Sequence, residues 1–353
     1  MSRRLDSVDA LRGLTVAAML LVNNPGDWGH VYAPLEHSAW HGCTPTDLIF
    51  PFFLFIVGVS CALSLVPRVE AGAAPGPLRA GVIKRSLRII GLGLVLHLLA
   101  WWLMQRPEFR VLGVLQRIGL CFAFTGLVAL QLQQRGQWVL LFALLLGYGA
   151  LLQGDATVEK LSSLAQRIDT AVLGRFAYEW DAKSGIAFDP EGLLSTLGAM
   201  STCLLGLLCG DFLRRGQGAL LAAAGMGAAV LGLLWSEWLP VNKQLWTPTF
   251  VLWTGGLAAL ALAAAHWLVD VRGAPAFGRA FGINAIAVYS GAWTATVFLE
   301  GFDWMAPLYA RGFGWLQGLI GPHGQSLAFA VCFVLAFGLL ARWMQQRGLV
   351  IKL

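Results

Sequence analysis

The chain has 353 residues, of which 57% are hydrophobic and only 12% charged, with a formal net charge of +6. Soluble globular domains carry about 25% charged residues, so this composition excludes an ordinary soluble enzyme, a disordered chain and a soluble nucleic-acid binder. The apolar runs repeat from end to end, which predicts an all-α, polytopic membrane helix bundle forming one domain over 1–353, with the lipid bilayer as its surroundings.

A membrane-spanning helix needs about 20 mostly apolar residues to cross roughly 30 Å of hydrocarbon. In chain order, ten stretches qualify: 11–24, 46–66, 87–103, 112–132, 138–152, 193–213, 219–238, 247–269, 281–299 and 326–344. The start, Met1-Ser2-Arg3-Arg4-Leu5-Asp6, has no long apolar run before a small-residue cleavage site, so no removed signal peptide is expected. With ten spans both termini lie on one side, and that side holds 16 of the 25 Lys and Arg but 5 of the 19 Asp and Glu. Arg3, Arg4, Arg79, Lys84, Arg85, Arg88 and Lys352 are among them. Positive loops mark the cytoplasm, so both termini are expected there, and the net positive charge reads as topology and not as a nucleic-acid footprint.

Two connections stand out. Residues 67–86, rich in Pro, Gly, Ala and cations, predict a flexible basic cytoplasmic loop. Residues 153–192 predict a long outward, periplasmic loop, a length usually tied to a lid or binding element. There is no internal repeat and no pair of broken helices, so an inverted-repeat transporter has no support. Five of the six cysteines fall within spans, and no disulfide framework is written in the sequence.

The first outward loop carries the densest chemistry. It holds Asn23-Asn24-Pro25-Gly26-Asp27-Trp28-Gly29-His30 and then Glu36-His37-Ser38-Ala39-Trp40-His41-Gly42-Cys43-Thr44-Pro45-Thr46-Asp47, with three of the six histidines within twelve residues. Histidine can take a proton from an attacking amine or hydroxyl and return it to a leaving group; the plainer reading makes these residues water-satisfied interfacial anchors. His37 and His41, with Glu36, Cys43 and Asp47 nearby, have zinc-ligand chemistry, but Pro34 and Gly42 bracket the segment and no metal site is expected. Asn23 and Asn24 either cap the first helix before Pro25 or offer an amide to a developing oxyanion. Gln116 and Arg117 open the fourth span. A guanidinium there asks for a phosphate, a carbonyl cluster or a carboxylate such as Asp47. Lys84, Arg85 and Arg88, leading into the third span, suit either anionic lipid or a nucleotide phosphate.

The sequence resembles the heparan-alpha-glucosaminide N-acetyltransferase family and its bacterial relatives. The resemblance runs through Ser7-Val8-Asp9-Ala10-Leu11-Arg12-Gly13, Glu36 to Gly42, Asp47-Leu48-Ile49-Phe50-Pro51, Gly113-Val114-Leu115-Gln116-Arg117-Ile118-Gly119, Ala187-Phe188-Asp189-Pro190-Glu191-Gly192, Pro240-Val241-Asn242-Lys243-Gln244-Leu245-Trp246 and Gly282-Ile283-Asn284. It implies transfer of an acetyl group from cytoplasmic acetyl-CoA to an amino sugar across the membrane. His37 then lands on the active histidine and Asn23 on its partner asparagine, with Asn24 as the rival and Asp47 as orienter of the imidazole. Acetyl-CoA is expected to meet Arg117, Gln116, Lys84, Arg85, Arg88 and Asn284, and the sugar to meet Trp40, Trp28, Lys243, Asn242 and Glu191. Glucosamine or a glucosamine-ended sugar fits as acceptor better than heparan sulfate, because the chain carries no counterpart of the animal enzyme's large lumenal region. A homodimer in a bacterial inner membrane is implied by resemblance alone. The alternatives are an amino-sugar permease and an O-acetyltransferase of an envelope polysaccharide.

Overall fold

The computed structural model describes residues 5–155 and 157–351; Arg3, Arg4 and Lys352 lie outside them. The chain is an all-α polytopic membrane bundle. Its long helices are α1 (Asp6–Asn23), α2 (Ile49–Ser64), α3 (Pro75–Leu103), α4 (Val114–Gln131) and α5 (Gln134–Gln153). After a short helix α6 (Leu164–Val172) and a hairpin of β1 (Glu179–Asp181) and β2 (Ile186–Phe188) come α7 (Ser195–Arg214), α8 (Gly218–Trp235) and α9 (Pro248–Ala265), the last continuing as a π-helical turn, His266–Val271. The chain closes with α10 (Ala285–Gly301), α11 (Met305–Phe313) and α12 (Gln317–Gln346), which is kinked at Gly321 and Pro322.

Among the described residues, eight helices are long and apolar enough to cross a membrane. Two more, α1 and α10, pack in the same bundle; α1 carries Asp6, Asp9 and Arg12 in its first two turns, and α10 has 17 residues. The centre is the contact of α2 with α7, where Leu54, Phe55, Ile56, Val59, Leu204, Leu207 and Leu208 are all buried. Small residues let these backbones touch: a Cβ at Gly58 would lie 1.8 Å from the Cys203 carbonyl oxygen. Without a hydrophobic drive between helices in lipid, that close packing and hydrogen bonding hold the bundle.

The expected flexible loop at 67–86 is mostly helix. After a short turn at Val66–Glu70, α3 begins at Pro75 and runs for 29 residues. Leu78, Val82, Ser86 and Ile89 are buried along one face, so this segment continues the helical stripe of the span. Pro75 and Pro77 sit in the first turn, where a missing N–H costs nothing. The long connection at 153–192 is likewise ordered: α6 and the hairpin fold over one end of the bundle, tied down by Val111 N–H donating to the Phe176 carbonyl (3.0 Å) and Trp40 Nε1–H donating to that of Val158 (3.0 Å).

Candidate active site

His37 sits on the loop between α1 and α2, and the sequence around it dictates a rigid platform. Pro45 opens a 3₁₀ turn, Pro45–Leu48, that leads into α2, with Thr44 and Asp47 forming a reciprocal capping box. Asp47 is fully buried and all its bonds are made. Oδ2 accepts from Ser38 N–H (3.0 Å), Thr44 N–H (3.0 Å) and the Thr44 hydroxyl (3.1 Å). Oδ1 lies 2.8 Å from His37 Nδ1 and 3.2 Å from Lys243 Nζ. A carboxylate at Nδ1 fixes the proton there and leaves Nε2 as the basic nitrogen. Asp47 is therefore not the partner of Arg117 that the sequence allowed for; its bonds go to His37 and Lys243.

Lys243 comes from the α8–α9 connection, some two hundred residues away. Gly42, at φ 108°, donates its N–H to the Val241 carbonyl (2.8 Å) and bridges Asn242. A side chain at that φ would be strained, so glycine is what lets the two loops join. Asn242 is wholly buried: its amide donates to the Trp40 carbonyl (2.9 Å) and accepts from Leu245 N–H (2.8 Å). Trp246 ends the turn at φ 50°, held between Phe50, Phe250 and the Arg117 guanidinium. Asn242 is thus a staple between loops, placed behind the surface the sugar was expected to meet.

His37, Asp47 and Lys243 open onto a cavity of about 490 Å³. Asn23, Asn24, Trp28 and Glu191 also line it. The two asparagines differ. Asn24 is buried, its amide donating to the Leu20 carbonyl (2.8 Å) and accepting from the Thr296 hydroxyl. Asn23 is exposed to the cavity, and no hydrogen bond of its amide is found among the described residues. The far wall carries a second charged cluster, which joins Glu191, a sugar candidate of the sequence, to Arg110, which the sequence did not single out. Arg110 donates to Asp189 (2.6 and 3.1 Å) and to Glu191, beneath the Tyr178 ring. Burial opposes ionisation of Glu191, but Arg110 and then Arg117 outweigh it and hold the carboxyl below its ordinary value. Arg110's one sequence signal is its place in a short polar connector, because its partners lie about eighty residues on.

A second cavity, of about 560 Å³, opens at the opposite end, where the described chain starts and finishes. Asp9, Arg12, Ser60, Ser64 and Arg85 line it, with Val350 and Ile351. Arg12 donates to Asp9 (2.9 Å), three residues before it on α1, and to Ser60 (2.7 Å). The two cavities are close along the bundle axis. On α4, Val114 faces the first and Ile118 the second; on α10, Tyr289 faces the first and Ile286 the second. Three to four residues of helix span about 5–6 Å.

The family model described as "Heparan-alpha-glucosaminide N-acetyltransferase, catalytic" matches residues 4–170, the part that holds α1, the His37 loop and α2. The mouse heparan-alpha-glucosaminide N-acetyltransferase is 26% identical over 82% of this chain and 53% of its own length; the human one is 27% identical over 82% and 52%. The chain is thus similar to the heparan-alpha-glucosaminide N-acetyltransferases over most of its length. It spans about half the length of the curated relatives it matches.

The remaining sequence candidates scatter. Arg85 turns inward over Phe122 (5.0 Å) into the second cavity, whereas Lys84 and Arg88 line an open groove on the outer face of α3 with Arg79, Ile83 and Leu87. Gln116 is buried beside His97 and donates to the Val111 carbonyl (3.0 Å). Arg117 is buried against the start of α7, donating to the Gly192 carbonyl (3.1 Å) and Ser195 (2.5 Å). Neither faces either cavity. Asn284 clamps the last described residues, its amide donating to the Leu349 carbonyl and accepting from Ile351 N–H (both 2.9 Å). It shapes the second cavity's wall from behind. Trp40 packs against Phe188 under the 153–192 segment, and His41 pairs with Glu159 (3.2 Å), away from His37.

Proposed function

We propose that the chain is a membrane acyltransferase that moves an acetyl group from cytoplasmic acetyl-CoA to the amine of glucosamine, or of a glucosamine-ended sugar, on the periplasmic side of a bacterial inner membrane. One observation carries the reading: a His37–Asp47 pair, with the carboxylate at Nδ1, faces a cavity that also holds an uncommitted amide, Asn23. The family resemblance supplies the donor and the acceptor class.

Acetyl-CoA would enter the second cavity, its phosphates drawn to Arg85 and Arg12. Its acyl arm would cross the single turn between the cavities to bring the thioester to His37, where donor and acceptor meet in one water-poor site. His37 Nε2 takes the proton of the acceptor amine as its nitrogen attacks the thioester carbonyl. The Asn23 amide donates to the oxygen that becomes charged. Collapse restores the carbonyl, expels the CoA thiolate, and returns the proton from His37 to sulfur. Transfer through an acetyl-His37 intermediate uses the same groups. Trp28, exposed at the cavity mouth, offers a face for a sugar ring.

The test is release of CoA thiol from acetyl-CoA by purified protein, with and without glucosamine, in wild type and His37→Ala. Glucosamine-dependent release that disappears in the mutant supports the proposal. No release with any amino sugar, while labelled sugar crosses proteoliposomes, replaces it with a permease; release driven only by a hydroxyl acceptor replaces it with an O-acetyltransferase.

A further inference from the structure

Lys243 is placed with the reacting groups. Its Nζ lies 2.9 and 3.3 Å from the two ring nitrogens of His37 and 3.2 Å from Asp47 Oδ1, and its side chain is 19% exposed, into the cavity. A lysine that served only to neutralise Asp47 would have no need to reach both imidazole nitrogens. A lysine that anchored a distant part of the sugar would point away from the base. The Gly42–Asn242 bridge, the Asn242 staple and the turn closed by Trp246 hold it there from behind.

We propose that Lys243 is a catalytic residue: its ammonium donates an N–H to the thioester oxygen as charge develops there, completing with Asn23 a two-donor oxyanion site beside His37. This rests on the acetyl-transfer reading above. The acceptor nitrogen forms the C–N bond, and the carbonyl π pair moves onto oxygen, which Lys243 and Asn23 stabilise. The amine proton passes to His37 Nε2. On collapse the C=O re-forms, the C–S bond breaks with its pair on sulfur, and sulfur takes the proton from His37. Lys243 ends each cycle with the protons it began with. Burial pushes this ammonium below its ordinary value, against the pull of Asp47 and then Glu191, which makes each N–H a stronger donor.

The test uses full-length wild type, Lys243→Met, Lys243→Arg and Lys243→Gln in detergent. Three readouts are taken: glucosamine-dependent CoA release, binding of a non-cleavable thioether analogue of acetyl-CoA, and thermal midpoint. Loss of one oxyanion donor costs about 10²–10³ in kcat. The expected result for Lys243→Met is a loss of that size, with analogue binding and the KM for glucosamine within about threefold of wild type, and partial recovery in Lys243→Arg. Four patterns overturn it. A normal kcat with a large rise in the glucosamine KM makes Lys243 a sugar anchor. Activity lost only in proportion to folded protein in all three variants makes it a structural counter-ion. Full activity in Lys243→Met, while His37→Ala is dead, removes Lys243 alone; a wild type that binds the analogue but acetylates no amine sinks the transferase reading and this proposal together.

Discussion

The cavity beside His37 and the cavity beside Arg85 are similar in volume, about 490 and 560 Å³, and are built in opposite ways. The first draws its polar groups from separate connections: the α1–α2 loop, the α3–α4 connector, the 153–192 segment and the α8–α9 turn. Each is tied to another by a backbone or buried side-chain bond, so Asp47, Asp189 and Asn242 arrive with their partners already made. The second is walled mainly by the faces of α1, α2, α3, α4 and α10, with a few cations and hydroxyls at its rim. Preorganised donors and acceptors are what a reacting centre requires, because charge develops there faster than a loose group could reorient. A pocket of helix faces suits a ligand held by its phosphates and its apolar arm.

The largest effect that would break this contrast is at the base itself. His37→Ala should lower acetyl transfer by about 10³–10⁴ without lowering donor binding, as expected for loss of a positioned proton acceptor; a mutant that retains a tenth of wild-type turnover places the chemistry elsewhere. Next comes the asparagine pair. Asn23→Ala should cost about 10²–10³ in kcat with an unchanged thermal midpoint. Asn24→Ala, which strips a buried amide from Leu20 and Thr296, should lower the midpoint by several degrees and kcat by far less.

At the other cavity the effect should fall on binding. Arg85→Ala should raise the acetyl-CoA KM about tenfold, the worth of one charge-assisted phosphate contact, and leave kcat alone. Lys84→Ala and Arg88→Ala, on the outer face of the same helix, should leave the KM unchanged. Equal effects at all three positions would argue for a diffuse field and not a site. The smallest effect concerns the segment over the first cavity. Burial raises the Asp169 carboxyl, which accepts from Leu193 N–H (2.9 Å), to about 6. A folded-state value above the unfolded one gives stability that is full at low pH and lost as pH rises through about 6. Asp169→Asn should therefore raise the thermal midpoint by a few degrees near pH 8 and change little near pH 4; a rise of equal size at both would exclude the carboxyl's charge as the cause.

The sequence made the bundle legible because lipid demands long apolar helices, and a run such as Leu54 to Val59 leaves little else to build. The start of α3 was misread because Arg79, Lys84 and Arg88 mask the buried stripe of Leu78, Val82 and Ile89 on the facing side. At the site, His37, Asp47 and the two asparagines were visible as polar residues packed into one short loop. The choice between Asn23 and Asn24 was not, since it depends on Thr296 reaching Asn24 from α10. Arg110 escaped because its meaning lies in Asp189 and Glu191, which only tertiary folding brings to it. Asn242 and Asn284 are polar residues in motif stretches whose amides turn out to bind backbone.

The join between Gly42 and Asn242 also orders the making of the protein. A ribosome releases residues 37 and 47 long before residue 243, so the nascent chain inserts its first two helices with Asp47 still short of its ammonium partner. A fragment that stops before the α8–α9 turn carries the histidine and its carboxylate but no Lys243 to meet them. The cluster is complete only when the second half of the bundle docks, so the proposed acetyl transfer has all of its groups in place only in the full bundle.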